Sequence, residues 1–285
     1  MTAGPPTALV TGAGRGIGRA CALAFRGEGW RAVAGVRDVA AAADAYAGTG
    51  VHVTGLDVAD AESVEQGVAD AERHAGRALA CLVVNAAYGV LGAVEEADLD
   101  EVRAMFETNL FGAAEVLQRV VPGMREAGGG AVVFVSSIGA RISHPLLGMY
   151  HASKYALTAI AEALAIEGRP FGIRVSTVEP GMVDTGFSRA VRPTGAAARG
   201  EGPYASLRED LRSSFAAWRR THEISPDVVA GAVVEAALDP DPPFRITVGD
   251  DARMLGAMRE GTPDDRAFHD GLLEFLDLDW PRSAS

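Results

Sequence analysis

No stretch of this chain approaches the roughly eighteen uninterrupted apolar residues that cross a bilayer, and its opening MTAGPPTALV has neither the basic start nor the apolar centre of a secretory signal. A cytoplasmic protein with no membrane partner is the expectation. Cysteine is scarce: Cys21 and Cys81 lie far apart in apolar surroundings, with no CxxC spacing, so a disulfide framework is excluded and two buried thiols are expected. His52, His74, His144, His151, His222 and His269 show no HxxxH pairing, so no metal site is expected and each reads as a surface or internally satisfied residue. Positive charge is also in deficit, with 26 Lys and Arg against 38 Asp and Glu and a net charge of -12. Nucleic acid and anionic membranes require a basic face, so a small molecule is the expected partner. The 48% hydrophobic and 22% charged content argues against disorder. No internal repeat or Pro/Gly/Ser linker divides the 285 residues, which suit one α/β domain with elaborations.

The chain is organised around Ala131 to Leu157, AVVFVSSIGARISHPLLGMYHASKYAL. Ala131 to Val135 is a short apolar run rich in β-branched residues, which predicts a buried strand delivering Ser136 and Ser137 at its carboxyl end. Tyr150 follows thirteen positions after Ser137, and Lys154 four after that. Ala156, Leu157, Ile160, Ala161 and Leu164 recur at helical spacing, so Tyr150 to Ile166 reads as a helix with phenol and ammonium on one face. An ordinary phenol titrates near ~10 and exchanges protons poorly at neutral pH. A neighbouring cation favours the phenolate, so Lys154 is expected to lower the pKa of Tyr150.

Thr7 to Thr11 predicts a first strand, and Gly12 to Gly18, GAGRGIG, runs from it into a helix marked by Ile17, Ala20, Cys21, Ala24 and Phe25. Strand, glycine turn and helix form a phosphate cradle: glycine admits the backbone close to a pyrophosphate, and the helix N-terminus is partially positive. Strands at Arg31 to Val36 and Val51 to Thr54, with a helix at Val39 to Ala47, complete a βαβαβ mononucleotide unit. Val36, Arg37 and Asp38 fall where an acid binds a ribose 2′-hydroxyl and an arginine a 2′-phosphate. Asp57 reads equally as an adenine contact or as the cap of a helix near Ala61. Further strands are predicted at Leu79 to Val84, Ile173 to Val178 and Phe244 to Val248, and helices at Leu99 to about Arg125, Pro226 to Leu238 and, in two pieces, Asp251 to Leu276. Asn109 falls mid-helix, where asparagine is mildly unfavourable.

Taken together, these residues resemble the short-chain dehydrogenase/reductase family. TGAGRGIG at Thr11 to Gly18 is similar to its TGxxxGIG, Asp57-Val58 to its DV pair, Asn109 to its helix asparagine, Ser137, Tyr150 and Lys154 to its serine and YxxxK, and PGMVDT at Pro180 to Thr185 to its PGxxxT. The resemblance implies a single doubly wound Rossmann-type α/β domain, with a parallel sheet of about seven strands flanked by helices. It implies that Tyr150 is the general acid or base, Ser137 the holder of the substrate oxygen, Lys154 the ligand of the nicotinamide ribose, and Asn109 the anchor of a water that relays protons to Lys154. Gly12, Arg15, Gly16, Ile17, Gly18, Arg37, Asp57, Val58, Asn85, Ala86, Tyr150, Lys154, Pro180, Gly181, Val183 and Thr185 would line the cofactor, with Thr185 and the Val183 backbone on the carboxamide. The family's NNAG stands here as Val84-Asn85-Ala86-Ala87, and the extra methyl of Ala87 would shift the nicotinamide slightly.

The implied function is interconversion of a ketone and a secondary alcohol with NADP(H), because Val36 replaces a repelling acid and Arg37 and Arg15 suit a 2′-phosphate. Asp38 is the rival, since its carboxylate on the ribose would favour NAD(H). Non-redox chemistry on the same tyrosine, and a cofactor-binding regulator without turnover, are the alternatives. Signatures such as NAAYGVLG and TVEPG are similar to those of members acting on bulky apolar alcohols, which implies a roomy apolar pocket. A homodimer or homotetramer is implied as well. The segment at about 186–223 is long for a connection and is expected to be a substrate lid. Within it RPTGAAARGEGP has the composition of a mobile loop, and Leu207, Leu211, Phe215 and Trp218 share one helical face, which is either substrate wall or ordinary core.

Overall fold

The computed structural model describes residues 4–186 and 191–280. Seven strands form one parallel sheet in the order β3-β2-β1-β4-β6-β7-β9. They are β1 (Thr7–Thr11), β2 (Arg31–Val36), β3 (His52–Gly55), β4 (Cys81–Val84), β6 (Gly130–Val135), β7 (Ile173–Pro180) and β9 (Arg245–Val248). A separate two-stranded parallel ribbon pairs β5 (Gly89–Leu91) with β8 (Val191–Pro193). The sequence-predicted strands are all present, with ends moved by one or two residues. The ribbon was not foreseen, because three-residue strands have no readable period, and it places part of the supposed mobile loop in regular structure.

Every residue of β1 is buried, as expected of a parallel strand covered on both faces. Alternation assigns the faces. Ala8 and Val10, Cys81 and Val83, and Ala131, Val133 and Val135 pack on one side, against α1 (Gly16–Gly27) and the later helix Pro226–Leu238. Leu9, Leu82, Val84, Val132 and Phe134 pack on the other, against α3 (Ala61–Ala75), α5 (Gly112–Glu126) and α6 (Gly148–Glu167). Because β2 and β4 flank β1, the chain leaves β1 in opposite directions, and a crevice opens at the carboxyl ends of the strands. Cys21 and Cys81 are buried free thiols, raised by desolvation to about 12 for Cys21 and further for Cys81.

Local chemistry places the helices. Asp38 caps α2 (Val39–Tyr46) and Asp98 caps α4 (Leu99–Phe106) by accepting from first-turn N–H groups. The cap of α3 is Asp60, which accepts from Glu62 and Ser63, and Asp57 instead accepts from Ala59 N in the preceding turn. The long helix expected from Leu99 to Arg125 is interrupted by a π turn, Glu107–Phe111, that contains Asn109. The lid segment forms β8, the short α7 (Ala196–Arg199) and α8 (Ala205–His222), followed by α9 (Pro226–Leu238); residues 187–190 lie outside the described residues. The apolar stripe of α8 divides. Leu207 and Leu211 are sealed against α10 (Asp250–Gly261) and α11 (Asp265–Phe275), so they are core rather than substrate wall, whereas Phe215 and Trp218 face the crevice. Among the described residues no helix is long and apolar enough to cross a membrane, and no three potential metal ligands cluster.

Candidate active site

The crevice is a cavity of about 1170 Å³, larger than the ~300–1,000 Å³ usual for a drug-sized ligand. It has room for an elongated ligand and a second molecule. The glycine loop forms one end. Gly12 and Gly16 have φ of +63° and +55°, and a Cβ on them would lie 2.7 Å from Ala86 Cα and 2.9 Å from Thr185 Cβ. Only glycine lets the loop pass that close to the neighbouring segments. No side chain caps α1, so the N–H groups at Gly16, Ile17 and Gly18 open on the cavity, an arrangement that suits a pyrophosphate. Thr11 and Asn85 stitch this loop to the end of β4: Asn85 N and Ala86 N donate to Thr11 Oγ1 at 2.9 and 3.2 Å, and Asn85 Nδ2 donates to Thr11 O at 2.9 Å. The remaining asparagine of the altered motif thus holds the two strand ends together, and Ala87 lines the cavity beside it. These features fit a dinucleotide.

Arg15, Arg37, Asp57, Val58, Pro180, Gly181, Val183 and Thr185 also line the cavity, so the structure brings these predicted cofactor residues to one place. Asp38 lines it too, with one carboxylate oxygen accepting from Ala41 N at 2.9 Å. The loop after β7 is anchored at both sides: Met182 N donates to Asp251 Oδ2 at 2.7 Å, and Ile224 N donates to Met182 O at 3.0 Å.

At the other end stand Ser137, Tyr150 and Lys154. Ser137 lies two residues beyond β6, accepts from Gly139 N at 3.0 Å and stands beside the phenol of Tyr150, whose pKa it lowers. Lys154 is 3% exposed and donates to Val135 O at 3.0 Å, so the strand that delivers the serine also fixes the ammonium. Burial moves both groups. It raises the phenol to about 12, with Ser137 acting in the opposite sense, and lowers the ammonium to about 8. The net direction at Tyr150 is therefore upward in the protein alone, with desolvation the largest cause, rather than the depression expected from Lys154.

Asn109 does not line the cavity. Its Nδ2 donates to Tyr88 O at 2.8 Å and Ser153 Oγ at 3.0 Å, its Oδ1 accepts from Tyr88 N at 3.0 Å, and Ser153 Oγ donates to Tyr150 O at 2.7 Å. The asparagine braces the loop after β4 against α6, a role for which the π turn presents it inward. Sequence reasoning did not place two residues in the site. His144, half-buried, and His151, buried beside Tyr150, line the cavity and are internally satisfied as expected, by Pro145 O and by Ser143 Oγ; desolvation lowers His144 to about 4 and His151 well below the ordinary imidazole value. Their signal was their position between Ser137 and Lys154, which metal-spacing rules do not test.

Comparison with known proteins places this geometry. The short chain dehydrogenase family model matches residues 6–196. A 3-ketodihydrosphingosine reductase of Bacteroides thetaiotaomicron is 34% identical over 208 residues, 71% of this chain and 74% of that protein. The crystal structure of a short-chain dehydrogenase from Streptomyces avermitilis is similar with a TM-score of 0.78 at 32% identity, covering 97% of this chain and 95% of that one. A short chain dehydrogenase from Burkholderia cenocepacia in complex with NADP gives 0.74 at 26% identity, covering 96% and 99%. The glycine cradle and the serine and tyrosine thus sit on a framework that the two solved structures share over nearly the whole chain, and the chain belongs to the short-chain dehydrogenase/reductase family as one of its oxidoreductases.

Proposed function

We propose that this protein interconverts an apolar ketone and a secondary alcohol with NADP(H), through Tyr150 as general acid or base. The observation that carries the proposal is the meeting of Ser137, Tyr150 and Lys154 in the same cavity as the glycine cradle. NADP(H), when bound, supplies or accepts the hydride. Gly16 to Gly18 hold its pyrophosphate, Arg15 and Arg37 its 2′-phosphate, Lys154 its ribose hydroxyls, and Thr185 with the Val183 backbone its carboxamide. Ser137 holds the substrate oxygen, and Tyr150 gives it a proton in reduction or removes one in oxidation.

The preference for NADP(H) rests on four residues. Val36, buried at the end of β2, carries no charge; Arg15 and Arg37 form no ion pair among the described residues; and Asp38 is engaged as the cap of α2. Apolar side chains at the far end, Leu147, Phe215, Leu272 and Leu276 among them, favour a bulky apolar substrate. The segment 186–223 serves as its lid, and the protein works as a homodimer or homotetramer. The test is to follow cofactor absorbance with NADPH and with NADH against a panel of ketones and secondary alcohols. Substrate-dependent oxidation of NADPH is expected; its absence across the panel, or a higher kcat/KM with NADH, overturns the corresponding part.

A further inference from the structure

The substrate end of the cavity combines apolar side chains with two imidazoles, His144 and His151, and charged side chains of α8, Arg208, Glu209 and Arg212, reach the cavity as well. His144 stands in the turn between Ser137 and Tyr150, and its Nδ1 lies 3.1 Å from the Pro145 carbonyl. A carbonyl oxygen only accepts, so Nδ1 is the protonated nitrogen. Burial lowers the imidazole to about 4, so the ring is neutral and Nε2 carries a bare lone pair. No described residue donates to Nε2, and it is not sealed in protein, so it opens on the cavity that the residue lines.

The ring is held in place. His151 meets it edge to face with centroids 4.4 Å apart, and Phe215 of α8 does so at 5.2 Å. Turning the ring over would put a carbon against the Pro145 carbonyl and lose that hydrogen bond. Ile142, Leu147, Leu272 and Leu276, which line the same cavity, offer no hydrogen-bonding group. A fixed polar atom among apolar side chains is where a binding site concentrates its specificity.

We infer that His144 Nε2 is a specificity-determining acceptor for a hydroxyl group of the substrate, so that the preferred substrates are apolar hydroxy-ketones rather than plain ketones. This rests on the ketone-reducing reading of the site. A hydroxyl hydrogen meets the lone pair, whereas an ether oxygen or a carboxylate at the same place sets lone pair against lone pair, and the neutral ring has no second proton to relieve it. A deoxy analogue leaves the acceptor desolvated and unpaired.

The experiment uses a series of aryl and cycloalkyl ketones, each paired with congeners bearing a hydroxyl or a methoxy group at successive distances from the carbonyl. kcat/KM with NADPH is measured for the wild type, His144→Leu and His144→Gln. Binding of the same compounds is read separately from tryptophan fluorescence, because Trp218 lines the cavity. For at least one hydroxyl position the wild type is expected to prefer the hydroxy-ketone over its deoxy and methoxy partners by about 10- to 100-fold, the range of one hydrogen bond made or left unmade in a buried site. His144→Leu should bring the ratio of kcat/KM for hydroxy- over deoxy-ketone to about one, and His144→Gln, which restores an acceptor, should recover part of it. The inference is overturned if no hydroxy-ketone is preferred at any position, or if His144→Leu keeps the preference. If the hydroxyl preference appears in binding but no ketone is turned over, the redox reading fails and the acceptor stands.

Discussion

Replacing Lys154 by Met should abolish turnover and yet stabilise the fold at neutral pH. Desolvation lowers the ammonium from the ordinary 10.5 to about 8. At about 1.4 kcal/mol per pKa unit, keeping that charge inside the folded protein costs roughly 3 kcal/mol below pH 8. Methionine has a similar length and no charge to desolvate, but it gives up the 3.0 Å bond to Val135 O, at about 1–2 kcal/mol. A net gain of about 1–2 kcal/mol remains, worth a few degrees in Tm for a chain of this size. The sign with pH follows from linkage. The folded lysine releases its proton at about 8 and the unfolded one at 10.5, so the unfolded chain holds more protons between them and wild-type stability rises with pH across that window. The advantage of the variant is therefore full below pH 8 and reverses by about pH 10.5. Denaturant titrations of both proteins at pH 7 and pH 10 measure it, and their difference cancels groups that titrate alike in both. A variant that is less stable than wild type by the same amount at both pH values would refute the reasoning, since the ammonium would then carry no desolvation penalty.

Tyr150→Phe removes the transferable proton, so kcat should fall by about 10²- to 10⁴-fold while the dissociation constant for NADPH, measured by fluorescence titration, stays near wild type. Arg37→Ala should raise the KM for NADPH about tenfold or more and leave that for NADH nearly unchanged, because only the 2′-phosphate loses a charge-assisted partner. Leu211, 1% exposed against α10 and α11, should cost about 2–5 kcal/mol of stability when cut to Ala, with kinetics preserved. Phe215→Ala, on the same helix but facing the cavity, should instead change substrate KM by several-fold with little loss of Tm, and thermal unfolding beside steady-state kinetics separates the two.

Much of the fold was legible because parallel strands buried on both faces need apolar runs, and helices between them need one apolar stripe. TALVT, CLVV and GAVVFV could be little else. The site residues were legible where the chemistry demands fixed spacing: a glycine turn between strand and helix, and a tyrosine and lysine one helical turn apart. What the sequence by itself determined was thus the order of elements and the identity of the groups that carry charge and protons. Tertiary structure alone decided what those groups experience. Burial, which no local pattern encodes, pushes the Tyr150 phenol up and the Lys154 ammonium down, and it divides the α8 stripe, sealing Leu211 and leaving Phe215 open to the cavity. The same holds for His144 and for the π turn that presents Asn109 inward: their roles depend on which distant segments the folded sheet brings within a few ångströms, and a desolvated group answers to those neighbours rather than to its neighbours in the chain.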